Sequence, residues 1–176
     1  MHVSSQQNAL GEPGVVRNGG VAEVRVRAVA QRVTMARVSV NQTVRATIGP
    51  GLLVLLGVET GDTDDDAAYI ARKVSHLRVF EDNAGKMNRS VKDVGGSVLV
   101  VSQFTLLADC RKGNRPSFTQ SAHPDVAEPL LNKACNLLKS EGVPVETGIF
   151  GAMMDVALIN TGPFTIILDS KRTTLE

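Results

Sequence analysis

Tryptophan is absent from this 176-residue chain and only 3% of it is aromatic, so aliphatic side chains must pack its core. Enough of them are present, because 43% of the residues are hydrophobic. Folded as one domain, a chain of this length buries roughly 70% of its unfolded surface. Cysteine is scarce too. Cys110 and Cys135 form no CxxC and have no histidine at metal-ligand spacing, which argues against a disulfide framework and fits a reducing cytoplasm. Each is read as a small buried or half-exposed hydrophobe. No apolar run approaches the ~20 residues of a membrane helix, and the N-terminus carries no apolar signal-peptide region. The expectation is a cytoplasmic protein with no membrane partner. Charge of one sign is also lacking. A formal net charge of +1 is no polycation, so any nucleic-acid contact must rest on a local basic patch. His2, His76 and His123 sit outside any recognisable motif, and GxSxG, HExxH, phosphate-loop and Rossmann patterns are missing. A dispersed Ser-His-Asp triad has no local signature. No metal and no cofactor is expected.

What is present orders itself along the chain. Residues 1–24, with SSQQN, GEPG and RNGG, have little periodicity and read as a flexible N-terminal extension. Residues 25–170 read as a single domain and 171–176 as a short tail. Val24, Val26, Ala28 and Ala30 alternate with Arg25, Arg27, Val29 and Gln31, the period of a strand with one face inward. Residues 37–40 and 43–48 flank Asn41-Gln42, a hairpin turn because Asn tolerates positive φ. After Gly49-Pro50-Gly51, residues 52–58 predict a strand buried on both faces. Thr63-Asp64-Asp65-Asp66 has the pattern of a capping box, which explains the acidic run better than a metal site does. Ala67, Ile70, Ala71, Val74 and Leu77 follow at helical spacing. Val79-Phe80-Glu81 resumes the sheet, Asn83-Ala84-Gly85 turns it, and Lys86, Arg89 and Lys92 form a solvated basic edge. Residues 124–139 predict a second helix with Val126, Leu130, Ala134, Leu137 and Leu138 on its apolar side. Pro129 predicts a late start or a kink there. Two strands, 153–159 and 164–168, close the chain. The fold class is α+β, a mostly antiparallel, barrel-like sheet with two main helices against it.

The candidate site is the end of the apolar run 98–101. Ser102, Gln103 and Thr105 stand where that run should continue, and buried hydroxyls and amides cost free energy unless hydrogen-bonded. Either the strand leaves the core here or it lines a pocket. The loop 109–118 follows, and its Arg111, Lys112 and Arg115 either hold phosphates or are simply solvated. Asn160-Thr161-Gly162-Pro163 either forms an ordinary hairpin turn or breaks the ladder and frees carbonyl acceptors.

At Ser102-Gln103-Phe104-Thr105-Leu106 and Asn160-Thr161-Gly162-Pro163-Phe164-Thr165 the chain resembles the D-aminoacyl-tRNA deacylases, which carry SQxTL-type and NxGPxT-type motifs at similar separation. The likeness runs through RAVAQRV, IGPGLLVLLGV, GKMN, DVGG, RKGNRPSF and GVPVETGIFGA to Leu168-Asp169-Ser170. It implies a homodimer that hydrolyses the ester between a D-amino acid and the 3′-terminal ribose of tRNA. Ser102, Gln103, Phe104 and Thr105 would then line the catalytic pocket. Gly162-Pro163 would enter the partner's site as a Gly-cisPro element, with Asn160 and Thr165 beside it and Arg32 supporting it. Backbone carbonyls would orient the α-ammonium and leave no room for an L side chain, so many D residues, and glycine, would be accepted. Arg111, Lys112 and Arg115 would contact the tRNA acceptor end. Thr105 as a nucleophile lacks a visible base. The resemblance implies instead that the ribose 2′-hydroxyl activates water while protein amides and hydroxyls hold the oxyanion.

Two rival readings stand beside this one, a non-catalytic nucleic-acid-binding module and a related deacylase that edits a small L-amino acid. The chain departs from the family pattern in its extra ~25 N-terminal residues, in Asn41-Gln42 replacing an Asp/Asn-Gly turn, and in Pro129. An upstream-misassigned start with Val26 at the usual initiator position would account for the first.

Overall fold

One long strand organises the sheet. In the computed structural model, which describes residues 26–170, β1 (Arg27–Val40) serves three neighbours. The expected extension and C-terminal tail lie outside the described residues. Along one edge β1 pairs with β8 (Asp155–Asp169). Along the other it pairs first with β3 (Gly51–Gly57) and then with β2 (Thr43–Ile48), all antiparallel. The β1–β2 turn is the predicted one, with Asn41 at φ 49° and Gln42 at φ 63°. Beyond β3 come β6 (Ser97–Ser102) and β7 (Val145–Thr147), both joined in parallel. The sheet is therefore mixed, with its antiparallel pairs centred on β1.

Strands apolar at every position have to be covered twice, and the two cores show how. On β6, Val98 and Val100 enter a core formed with the helices, while Leu99 and Val101 enter a second core. That second core holds Val33, Ala36 and Val38 of β1, Ala46 and Ile48 of β2, and Leu53 of β3. The sheet wraps around it, which gives the barrel-like shape.

Helix α1 (Asp64–His76) starts as its sequence predicts, with Thr63 N donating to Asp66 Oδ2 at 2.9 Å and the first-turn aspartates at the positive end of the dipole. Its buried face is Ala67, Ile70, Ala71 and Val74. Helix α2 (Pro124–Ser140) buries Leu130, Leu131, Ala134, Cys135 and Leu138, and burial pushes the Cys135 thiol up to about 11. Val126, expected on that face, is exposed, and so is Cys110.

Three expectations change. Helix α2 does not start late. Pro124 occupies its first turn, and Pro129 lies inside, exposed, where water can take the carbonyl its missing N–H would have bonded. Residues 80–81 do not rejoin the main sheet, because β4 (Phe80–Glu81) pairs only with β5 (Met87–Arg89) in a separate two-stranded sheet. The predicted closing pair of strands is one strand, β8. Gln31 pairs with Thr165 and Val33 with Asn160, so residues 161–164 bulge out opposite Arg32 alone. Asn160-Thr161-Gly162-Pro163 is an interruption in a continuing ladder rather than a hairpin turn.

Candidate active site

Strand β6 ends at Ser102, and its last register partner on β3 is Leu56. Gln103 N then donates to Leu56 O at 2.8 Å, and the chain tightens into a short 3₁₀ turn, Phe104–Leu107. Such a turn leaves its first N–H groups, those of Phe104 and Thr105, without an intrahelical acceptor. Ser102, Gln103, Phe104 and Thr105 all line a cavity of about 750 Å³, within the usual range for small-molecule sites. Val58 and Val101 contribute to its lining, with Ala127 and Leu131 of α2 and a further wall at Phe150, Met153 and Met154. Met153 is 90% exposed and Phe104 55%, so the mouth presents apolar surface to solvent. Phe104 meets Phe118 edge-on, ring centroids 5.0 Å apart.

Among the described residues, none that lines this cavity carries a titratable side chain. The polar groups are Ser102, Gln103, Thr105 and Ser121, with backbone. Gln103 Nε2 donates to Thr105 Oγ1, so the Thr105 hydroxyl is paired with an amide donor, which cannot take its proton. His123, at the N-cap of α2, has its Nδ1 3.1 Å from Asp125 Oδ2 and does not line the cavity.

The second motif builds a separate structure. The Gly162–Pro163 bond is cis and Gly162 has φ +127°. Asn160 folds the bulge with both ends of its amide. Its Oδ1 accepts from Phe164 N at 2.9 Å, and its Nδ2 donates to Thr165 Oγ1 at 2.9 Å. Thr165 Oγ1 also accepts from Gln31 Nε2 at 3.2 Å. Arg32 clamps the segment from the facing strand. Its Nε donates to Thr161 O at 3.1 Å, its Nη1 to Val79 O at 2.5 Å, and its guanidinium lies 5.0 Å from the centre of the Phe164 ring. Asn160, Thr165 and Arg32 thus shape the Gly-Pro segment. None of residues 160–165 lines the cavity. Within one chain the two motifs stay apart.

The basic loop is closed at its base by a two-way backbone pairing of Asp109 with Ser117, at 2.8 and 2.9 Å. Arg111 bends back onto Asp109 through Nε at 2.9 Å and Nη2 at 2.7 Å, which holds the Asp109 carboxyl well below the usual carboxylate range. Lys112 and Arg115 are exposed at the tip. Sequence reasoning assigned no role to Phe118, Ser121 or the 150–154 wall. The GIFGA segment was part of the resemblance, yet nothing in its pattern shows that it faces Gln103.

The chain has close relatives. The sequence pattern of the family described as D-Tyr-tRNA(Tyr) deacylase matches residues 29–169. A D-aminoacyl-tRNA deacylase of Thermomicrobium roseum is 59% identical over 145 residues, covering 82% of this chain and 94% of that protein. The enzyme of the same name from Thermus aquaticus is also 59% identical, covering 82% of this chain and 95% of that one. Among solved structures, a c-Myc DNA unwinding element binding protein superposes with a TM-score of 0.77 at 40% identity, over 83% of this chain and 99% of its own. A protein described as a probable eukaryotic D-amino acid tRNA deacylase does so with a TM-score of 0.71 over 82% and 99%, at the 20% identity that speaks for the fold alone.

Proposed function

Since the chain belongs to the D-aminoacyl-tRNA deacylase family, a family of hydrolases, we propose that it releases the D-amino acid from D-aminoacyl-tRNA at a site shared between two copies of the chain. One copy supplies the cavity with Ser102, Gln103, Phe104 and Thr105. The other supplies Gly162-Pro163, held by Arg32, Asn160 and Thr165. Two features support the sharing. The Gly-Pro segment does not line its own cavity, and Ile159 and Ile167, flanking it on β8, are 57% and 69% exposed.

In this arrangement the Gly-Pro carbonyls accept the substrate's α-ammonium and fix its Cα. An L side chain then points into backbone, while a D side chain points away. Only main-chain atoms are read, so glycine passes too and mischarged glycyl-tRNA is a further substrate. Lys112 and Arg115, exposed on the loop that runs into Phe118 of the cavity wall, meet backbone phosphates of the acceptor end, and Arg111 keeps the loop in shape. The protein works in the cytoplasm, where its substrate is made.

The observation that carries the mechanism is that the cavity wall has no titratable group among the described residues. Proton transfer falls to the substrate: the ribose 2′-hydroxyl activates the attacking water. The N–H groups of Phe104 and Thr105 are placed to hold the oxyanion, a contribution worth about 10²–10³ in rate per donor in comparable sites. The test uses D-Tyr-tRNA, L-Tyr-tRNA and D-Tyr-tRNA ending in 2′-deoxyadenosine. The D ester should be hydrolysed, the L ester spared by about 10²-fold or more, and the 2′-deoxy ester left intact. Thr105→Ala should keep turnover within about tenfold. Brisk cleavage of the 2′-deoxy ester together with a dead Thr105→Ala would sink the mechanism. RNA binding without any cleavage would make the chain a binding module.

A further inference from the structure

We propose that Arg27 is a positioning residue that sets the height of the catalytic 3₁₀ turn. A four-residue turn cannot satisfy its own last carbonyls. The carbonyls of residues 103–106 are all met, two within the turn and two from elsewhere in the fold. Gln103 O accepts from Leu106 N and Thr105 O from Ala108 N, each at 3.2 Å, and Phe104 O accepts from Ser121 Oγ at 3.3 Å. Leu106 O is reached by Arg27 Nη1 at 2.8 Å, across 79 positions of sequence. This is the charge-assisted member of the set and the one that ties the turn to the central strand.

The surroundings of Arg27 fit that task. On one side its register partner is Gly57, and on the other it is Asp169, whose Oδ2 lies 3.8 Å from Arg27 Nε. Gly57 leaves the space that the turn occupies. A Cβ built there would stand 2.9 Å from Gln103 O and 3.4 Å from Leu106 Cβ. The turn therefore rests on bare backbone of β3, and Arg27 bridges from β1 to its far end while Asp169 steadies the guanidinium. The N–H groups of Phe104 and Thr105 sit at the near end of the same turn. A small shift of that turn would move both donors together, and a misplacement of ~1 Å costs about 10²-fold in well-oriented reactions.

The inference rests on reading residues 102–105 as the catalytic wall, and the test separates the two. Wild type, Gln103→Ala, Arg27→Met and Arg27→Lys are compared on D-Tyr-tRNA, with kcat, KM and Tm measured for each. Arg27→Met keeps the apolar stem and loses the bond. Its kcat should fall about tenfold or more with KM within about twofold. Arg27→Lys has one compact donor in place of the fork and should lose about two- to fivefold in kcat, although its Tm falls as far as that of Arg27→Met. Full kcat in Arg27→Met overturns the proposal, and so does equal loss in the two variants tracking Tm. Should Arg27→Met fail to fold, an unchanged kcat in Arg27→Lys overturns it. Loss of turnover in Gln103→Ala with none at Arg27 rejects this inference alone. An inert wild type rejects the reading of the site beneath it.

Discussion

At the scale of single residues, several polar side chains around the two motifs hold backbone in place. Asn160 spends both ends of its amide on the Gly-Pro segment, and Arg32 ties Thr161 of that segment to Val79. That segment tolerates little change. Gly162, at φ +127°, is in a region closed to L side chains, and a Cβ there would lie 3.1 Å from Arg32 Nη2. Gly162→Ala should destabilise the fold by about 1–3 kcal/mol, read by urea titration, and should cut D-Tyr-tRNA turnover at least tenfold. An unchanged denaturation midpoint would mean that the bulge relaxes freely and that Arg32 is no clamp. Asn160 and Gly162 were legible in the sequence through the NTGPFT motif, and Arg32 through RAVAQRV. The support of this segment by Arg32 came only from the resemblance, because Arg32 is 129 positions away from Thr161 and no local pattern encodes such a contact.

At the scale of elements, local chemistry was a good guide wherever a segment's environment is uniform along its length. The capping box, the helical spacing of α1 and the two-face burial of β3 and β6 all follow from short-range pattern. It was a poorer guide at β8, where a Gly-Pro break reads as a turn, although β1 continues alongside and takes up the chain again beyond it. The basic loop is another case. Its three cations look equivalent in sequence, but Arg111 is spent on Asp109. Lys112→Ala with Arg115→Ala should lower the slope of log K against log salt for tRNA binding by about 1.4–2, raising KM and leaving kcat nearly unchanged. Arg111→Ala should act mainly by loosening the loop. A salt slope unaltered in the double variant would place the RNA elsewhere.

At the scale of the whole molecule, the Gly-Pro motif stays out of the cavity that the other motif lines, and a shared site has a distinctive consequence. Gln103→Ala damages the cavity half and Gly162→Ala the Gly-Pro half. Mixed and allowed to exchange subunits, two inactive proteins should recover about a quarter of wild-type turnover, because half of the dimers are mixed and each has one intact site of two. If both halves belonged to one chain, mixing would restore nothing. Sedimentation at the assay concentration checks that exchange has occurred.

The sequence by itself determined which strands would be buried on both faces and where α1 begins. These depend on periodicity and on contacts within a few residues. Only the tertiary structure decided that β6 and β7 join in parallel, that β8 runs through its Gly-Pro segment, and that Arg27 reaches Leu106. Direction, register and partner are properties of pairs of segments far apart in the chain, and their energies arise only when those segments meet. The same holds for the lack of a titratable side chain, among the described residues, in the wall around Ser102–Thr105. It follows from which side chains the fold turns toward the cavity.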